Sequence, residues 1–279
     1  MFNPLTDPPG YLTAFSECLA GAIFFPCVFI TIQYILQNSW IGRQICRLYS
    51  LKNHGVYDIS NKLTSSVFAI LACYCGMYVY MNCGEDVLNE RFYILENYLI
   101  FGVSYFFYDC VTMYMVYSTE EKEDVTVSSK EIIRFCKDRP LILLHHIFVP
   151  LVGFPALMFA RGGQGDCLLG TSFLVEASTP FVSFRVILCH LGLKDSPVYI
   201  INGLIMLVTF FFCRVAIFPC LYVWYARLEG FTVLLSVPLW VHLAVAGLWF
   251  PQLLWFVKMV KGSIKLIRDA NKKKSIKTN

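Results

Sequence analysis

Charge is scarce in this sequence. Only 15% of its 279 residues are Asp, Glu, Lys or Arg, against 57% hydrophobic; a soluble domain carries roughly 25% charged residues. The apolar residues come in long runs rather than amphipathic stripes, so the bilayer reads as the solvent. Ten-residue segments of alternating polarity, the mark of a membrane barrel, are missing, and open sheets cannot span lipid. What remains is an all-α fold: a polytopic membrane helical bundle of about seven transmembrane helices. The 12 cysteines include no Cys-x-x-Cys and no paired zinc spacing, which argues against a disulfide scaffold or a cysteine zinc site. They read as small apolar packing residues, although Cys83 and Cys167 fall near one side of the membrane, where sequence leaves their pairing open. No basic region precedes the first apolar run, so that run is expected to stay as an anchor rather than to be cleaved.

What is there divides into spans at 11–37, 62–82, 97–117, 140–160, 167–190, 198–226 and 233–257. With the amino terminus outside the cytosol, three of the 23 Lys and Arg residues, Arg91, Arg161 and Arg227, fall on the non-cytosolic side. Arg185 and Arg214 lie within spans, and all the others are cytosolic, a strong positive-inside asymmetry with a cytosolic carboxyl terminus. The division expected is 1–51 for an anchor and cytosolic loop, 52–262 for the membrane module and 263–279 for a basic tail. The Lys272-Lys273-Lys274 run reads as a topology determinant beside anionic headgroups rather than a nucleic-acid patch. Proline recurs in the spans, at Pro26, Pro150, Pro155, Pro180, Pro219, Pro238 and Pro251, each bending its helix.

The informative residues are polar ones in apolar runs. They are Tyr105, Tyr108 and Asp109 in the third span, His145 and His146 in the fourth, and Glu176, Ser178, Thr179 and Arg185 in the fifth. Asn202 and Arg214 lie in the sixth, and His242 in the seventh. Facing lipid, the four charges among them would cost on the order of 10 kcal/mol, so they are expected to face one another or water inside the bundle. Their depths suggest a polar pocket opening towards the cytosol. Neighbouring helical residues diverge by about 100°, so only one of His145 and His146 can point to its centre. That one is expected to be a proton acceptor, with Asp109 or Glu176 fixing its tautomer. Arg185, near a helix end, is expected to snorkel, and His242 to be structural. A metal at His145, His146, Asp109 and Glu176 is not expected, because adjacent histidines chelate poorly from one helix face. Gly162-Gly163-Gln164-Gly165 lacks the lysine of a phosphate loop.

In order along the chain, Tyr108-Asp109, His145-His146 and the block Cys213-Arg214-Val215-Ala216-Ile217-Phe218-Pro219 resemble the TLC domain. That membrane module is shared by ceramide synthases and translocating-chain-associated membrane proteins. The stretch from Gly165-Asp166 to Glu176-Ala177-Ser178-Thr179-Pro180-Phe181, with Asn202-Gly203 beyond, is similar to the subgroup called TLC domain-containing protein 3. The resemblance covers about residues 52–262 and implies a helical bundle around a lipid-accessible cavity containing the histidine pair. It implies sphingolipid metabolism in an endoplasmic reticulum or Golgi membrane, with the plasma membrane as the alternative. The reaction implied is ceramide synthase-type N-acyl transfer from acyl-CoA to a sphingoid base. His145, His146, Asp109 and Glu176 would be catalytic, and Tyr108, Arg214 and Asn202 substrate-binding. No cofactor is expected beyond acyl-CoA as co-substrate. The partners expected are membrane lipids and a homo- or hetero-oligomer with related lipid enzymes, not nucleic acid. One departure is visible. Where ceramide synthases carry His-Asp-x-x-Asp in the span after the histidine pair, this chain has Ser172, Phe173 and Glu176. The alternative reading is therefore a non-catalytic lipid-binding protein that regulates membrane composition or ceramide synthesis. A transporter fits less well, since no inverted repeat is visible.

Overall fold

A computed structural model describes the backbone of all residues except 1, 2, 4, 6, 121, 123 and 279; side chains at 266, 267 and 269–278 are likewise outside the described residues. The basic run at Lys272, Lys273, Lys274 and Lys277 lies there. Seven helices are long and apolar enough to cross a membrane: α1 Tyr11–Asn38, α3 Asn53–Asn82, α4 Tyr93–Thr119, α6 Pro140–Ala160, α7 Asp166–His190, α8 Pro197–Glu229 and the Leu239–Lys265 part of α9. The helix α9 itself continues to Thr278. Two short helices, α2 Trp40–Leu48 and α5 Ser129–Asp138, lie in connections on the same side as the carboxyl-terminal tail. No strand occurs among the described residues.

The polar segment Asn53–Lys62 is helical, so the second span begins nine residues before the position 62 expected from hydropathy. Side-chain partners offset the polarity there: Asp58 meets His190 of α7, and Lys62 pairs with Asp58 one turn earlier. On the outer face of the bundle α1 packs against α3 and α4 through an aromatic core of Phe25, Phe29, Phe68, Tyr105 and Tyr108. Phe68 and Tyr105 stack with ring centroids 4.0 Å apart. At Gly21 a Cβ would lie 2.1 Å from the Phe101 carbonyl oxygen, so the crossing with α4 needs glycine there.

The side opposite the tail is tied covalently. Cys83, after α3, and Cys167, in the first turn of α7, form a disulfide with Cα atoms 5.8 Å apart. Beside it Asp166, fully buried, accepts from the Phe92 backbone N–H at 2.7 Å and pairs with Arg91 and Arg161. The disulfide holds the end of α3, and this cluster the start of α4, against the start of α7.

Three spans leave regular α geometry in mid-membrane. The ladder of α6 widens to i→i+5 bonding over Val149–Gly153 and Ala156–Ala160, where Pro150 and Pro155 cannot donate. In α7 it tightens to i→i+3 over Phe173–Ser178, just ahead of Pro180. In α8 it widens over Phe211–Ala216. Pro219 has no N–H to offer the Val215 carbonyl, and that oxygen accepts the Trp249 indole of α9 at 2.9 Å.

Candidate functional site

These three departures surround one cavity. It has a volume of about 190 Å³ and lies between α3, α4, α6, α7, α8 and α9. Its walls are apolar, with Phe68, Phe106 and Phe173 among them, and its polar groups are His145, Ser172, Glu176, Arg214 and Gln252. Irregular helical turns re-aim side chains and recur at functional sites. Here Glu176 and Arg214 sit inside them, and His145 sits in the turn before one.

Arg214 is the hub. Its Nε donates to Ser178 Oγ at 2.8 Å, and Nη1 donates to Gln252 Oε1 at 3.1 Å. Nη2 donates to Glu176 Oε2 at 3.1 Å and to Thr179 Oγ1 at 2.7 Å. Thr179 in turn donates to Glu176 Oε2 at 2.5 Å. These four acceptors occupy most of the five N–H groups of a guanidinium. The network satisfies both charges inside the bundle, as their cost in lipid requires. Arg214 therefore holds the turn around Glu176 in place and keeps little donor capacity for a ligand.

The two histidines part company as their angular separation demands. His145 is on the cavity wall, edge-on to Trp255 at 6.2 Å and to His146 at 5.5 Å. His146 turns away from the wall towards α4. There its Nδ1 lies 3.2 Å from Asp109 Oδ2, with both residues buried. That contact is close, but its direction is not that of a hydrogen bond, and both His146 Nδ1 and Asp109 Oδ1 are without a hydrogen-bond partner among the described residues.

The remaining sequence-named residues lie elsewhere. The Tyr108 hydroxyl donates to Asn61 Oδ1 at 3.2 Å in the aromatic core under α1, and Tyr108 is not on the cavity wall. Asn202 donates to the Phe181 carbonyl at 2.9 Å, tying α8 to α7, and is likewise off the wall. Arg185 packs over the Tyr199 ring at 4.2 Å instead of snorkelling, and α8 accommodates it with Gly203, where a Cβ would lie 2.6 Å from its Nη1. His242 contacts the Tyr222 hydroxyl at 2.8 Å and the Leu234 carbonyl at 3.1 Å, a structural arrangement. The far walls of the cavity include Tyr98, near the start of α4, and Leu169, near the start of α7, so it extends from the polar groups towards the disulfide side. The sequence marks Ser178 and Thr179 as polar residues of the fifth span without pairing them to Arg214, and Gln252, a neutral polar residue in a span, gives no signal above background. Sequence reasoning passes over a second polar cluster, His54, Asp58 and His190, for which the i, i+4 spacing of His54 and Asp58 is the one available sign.

No solved structure matches this chain. A family model described as the TLC domain matches residues 58–261. That match takes in α4 and α6 to α8 whole and most of α3 and of the spanning part of α9, with His145, Ser172, Glu176, Arg214 and Gln252 of the cavity. The chain is thus an integral membrane protein of the TLC-domain family.

Proposed function

We propose that the cavity receives the acyl chain of a lipid substrate and that the protein transfers an acyl group from acyl-CoA to the amine of a sphingoid base. The observation that carries this reading is an apolar cavity with an imidazole, His145, at its polar end, shared with the Arg214-held carboxylate of Glu176. An amine nucleophile needs a base near neutral pH, and imidazole is the side chain suited to it. The amine nitrogen attacks the thioester carbonyl carbon, a C–N bond forms and the C–S bond breaks. His145 takes the proton that the nitrogen gives up and returns it to the departing thiolate. His146, backed by Asp109, positions the neighbouring ring and balances the charge that develops on it. The basic asymmetry supports a cytosolic tail side, from which acyl-CoA would enter with its chain directed into the cavity. The disulfide on the opposite side agrees with an oxidising lumen there. An endoplasmic reticulum or Golgi membrane and a place near the TLC domain-containing protein 3 subgroup belong to the same proposal.

A second reading, lipid binding without transfer, is favoured by one observation. Ser172 and Phe173 occupy the cavity wall where ceramide synthases carry the first His and Asp of their pattern, and Ser172 Oγ donates to its own helix at the Leu169 carbonyl. The test is transfer by purified, reconstituted protein given long-chain acyl-CoA and labelled sphinganine. Ceramide formed by wild type and lost in His145→Ala supports the transferase. No product from folded protein that still binds the lipid supports the second reading.

A further inference from the structure

On the tail side of the bundle, away from the cavity, α3, α4 and α7 bring together three groups that the acyl-transfer reading does not use. His54 and Asp58 are four residues apart on α3 and so share one helix face. His190, the last residue of α7, reaches across to them, its Nε2 2.7 Å from Asp58 Oδ2. One donor atom from each of the three lies within 4.8 Å of the others. Two donors each about 2.0–2.1 Å from a common ion sit roughly 3 Å apart, so the His190–Asp58 pair is already near that spacing.

The tautomer of His54 is set for ligation. Its Nδ1 is 3.1 Å from the Val116 carbonyl of α4. A carbonyl only accepts, so this contact places the proton on Nδ1 and leaves the Nε2 lone pair bare. Donation of the second ring N–H to a backbone carbonyl is the usual outer support of a metal-bound histidine. The side chains of His190 and Asp58 are 20% and 13% exposed, so an ion can reach them. Lys62 Nζ, 3.8 Å from Asp58 Oδ1, is the one competing cation in contact among the described residues, and it approaches the oxygen opposite to the one that faces His190. Two imidazoles and one carboxylate suit a first-row transition ion rather than magnesium or calcium, with a coordination position left for water.

We propose that His54, Asp58 and His190 form a binding site for a divalent transition-metal ion, zinc in the cell, which fastens the tail-side ends of α3 and α7 to each other. The site is independent of the acyl-transfer reading.

The test titrates full-length protein in nanodiscs, stripped with chelator, with Zn²⁺ against a chromophoric competitor. One ion binds per chain, the affinity falls at least ~10-fold in Asp58→Asn and in His190→Gln, and His242→Gln binds as wild type does. The zinc absorption-edge spectrum of the wild type shows nitrogen and oxygen neighbours at about 2.0–2.1 Å and no sulfur. No saturable binding by wild type overturns the proposal, as does binding unchanged in both variants. A sulfur shell at about 2.3 Å also overturns it, by assigning the ion to cysteines outside the disulfide. Should a variant fail to fold, the wild-type spectrum decides alone.

Discussion

Replacing Arg214 with methionine keeps much of the side-chain volume but removes the four hydrogen bonds at the polar end of the cavity. It leaves Glu176 ionised inside the bundle beside neutral Thr179. Both partners are shielded, with side chains 13% and 24% exposed, so solvent screens little of the loss. Breaking such a pair from one side costs about 3–5 kcal/mol. Glu176→Gln leaves Arg214 with Ser178, Thr179, Gln252 and a new amide oxygen, and costs about 1.5 kcal/mol. If the two charges did not interact, the double variant would cost the sum. Because they do, the double variant removes the stranded carboxylate and is more stable than Arg214→Met alone. At about 2–4 °C per kcal/mol, Arg214→Met lowers the thermal midpoint on the order of 10 °C, and the second substitution restores at least half of that. Tryptophan fluorescence melts of the three variants in one detergent give the comparison. A double variant as unstable as the sum of the singles would refute the pairing.

Gly76→Ala places a Cβ 2.8 Å from the Gly170 carbonyl oxygen at the crossing of α3 and α7. It lowers stability by about 1–3 kcal/mol, whereas Gly247→Ala, with open space around it, is neutral in the same melt. Cys83→Ser opens the link to Cys167 across 84 residues and costs about 2–4 kcal/mol. Mass spectrometry after alkylation without reductant detects two protected thiols in wild type and one newly reactive thiol in the variant; equal labelling would contradict the disulfide. In the α4–α5 connection, hydrogen bonds first from Lys122 and then from Thr126 hold the Glu131 carboxyl below the ordinary carboxylate range. A depressed folded-state value means stability present above the unfolded value, about 4.3, and lost as pH falls through the folded one. Hydrogen exchange of segment 122–131 should therefore lose protection on acidification in wild type but not in Glu131→Gln; parallel profiles would contradict the assignment.

The seven spans were legible because hydropathy over some 20 residues reports burial in lipid directly. The ends were less so: Asn53–Lys62 is polar, and only the His190–Asp58 and Lys62 contacts explain its helix. The amphipathic α2 and α5 are too short and too polar to register in a hydropathy window. The inward turn of Asp109, Glu176 and Arg214 was legible from energy alone, since a charge in lipid demands a partner. Its detail was not, because widened and tightened turns in α6, α7 and α8 rotate side chains away from the positions a regular helix assigns. Those turns place Ser178 and Arg214 in one network with Gln252, whereas Tyr108 and Asn202 lie in regular helix and face neighbouring helices, which their polarity alone does not distinguish.

Both lipid readings require the cavity to hold an acyl chain, and a photoreactive chain tests that directly. Reconstituted protein is irradiated with a lipid carrying a diazirine near the chain end, and the adducts are located by tandem mass spectrometry. The account predicts labelling on the inner wall, at Leu157, Leu169 or Phe173, suppressed by excess unlabelled lipid. Labelling confined to the exposed face of α8, at Ile200, Leu204 and Val208, and indifferent to competitor would contradict it.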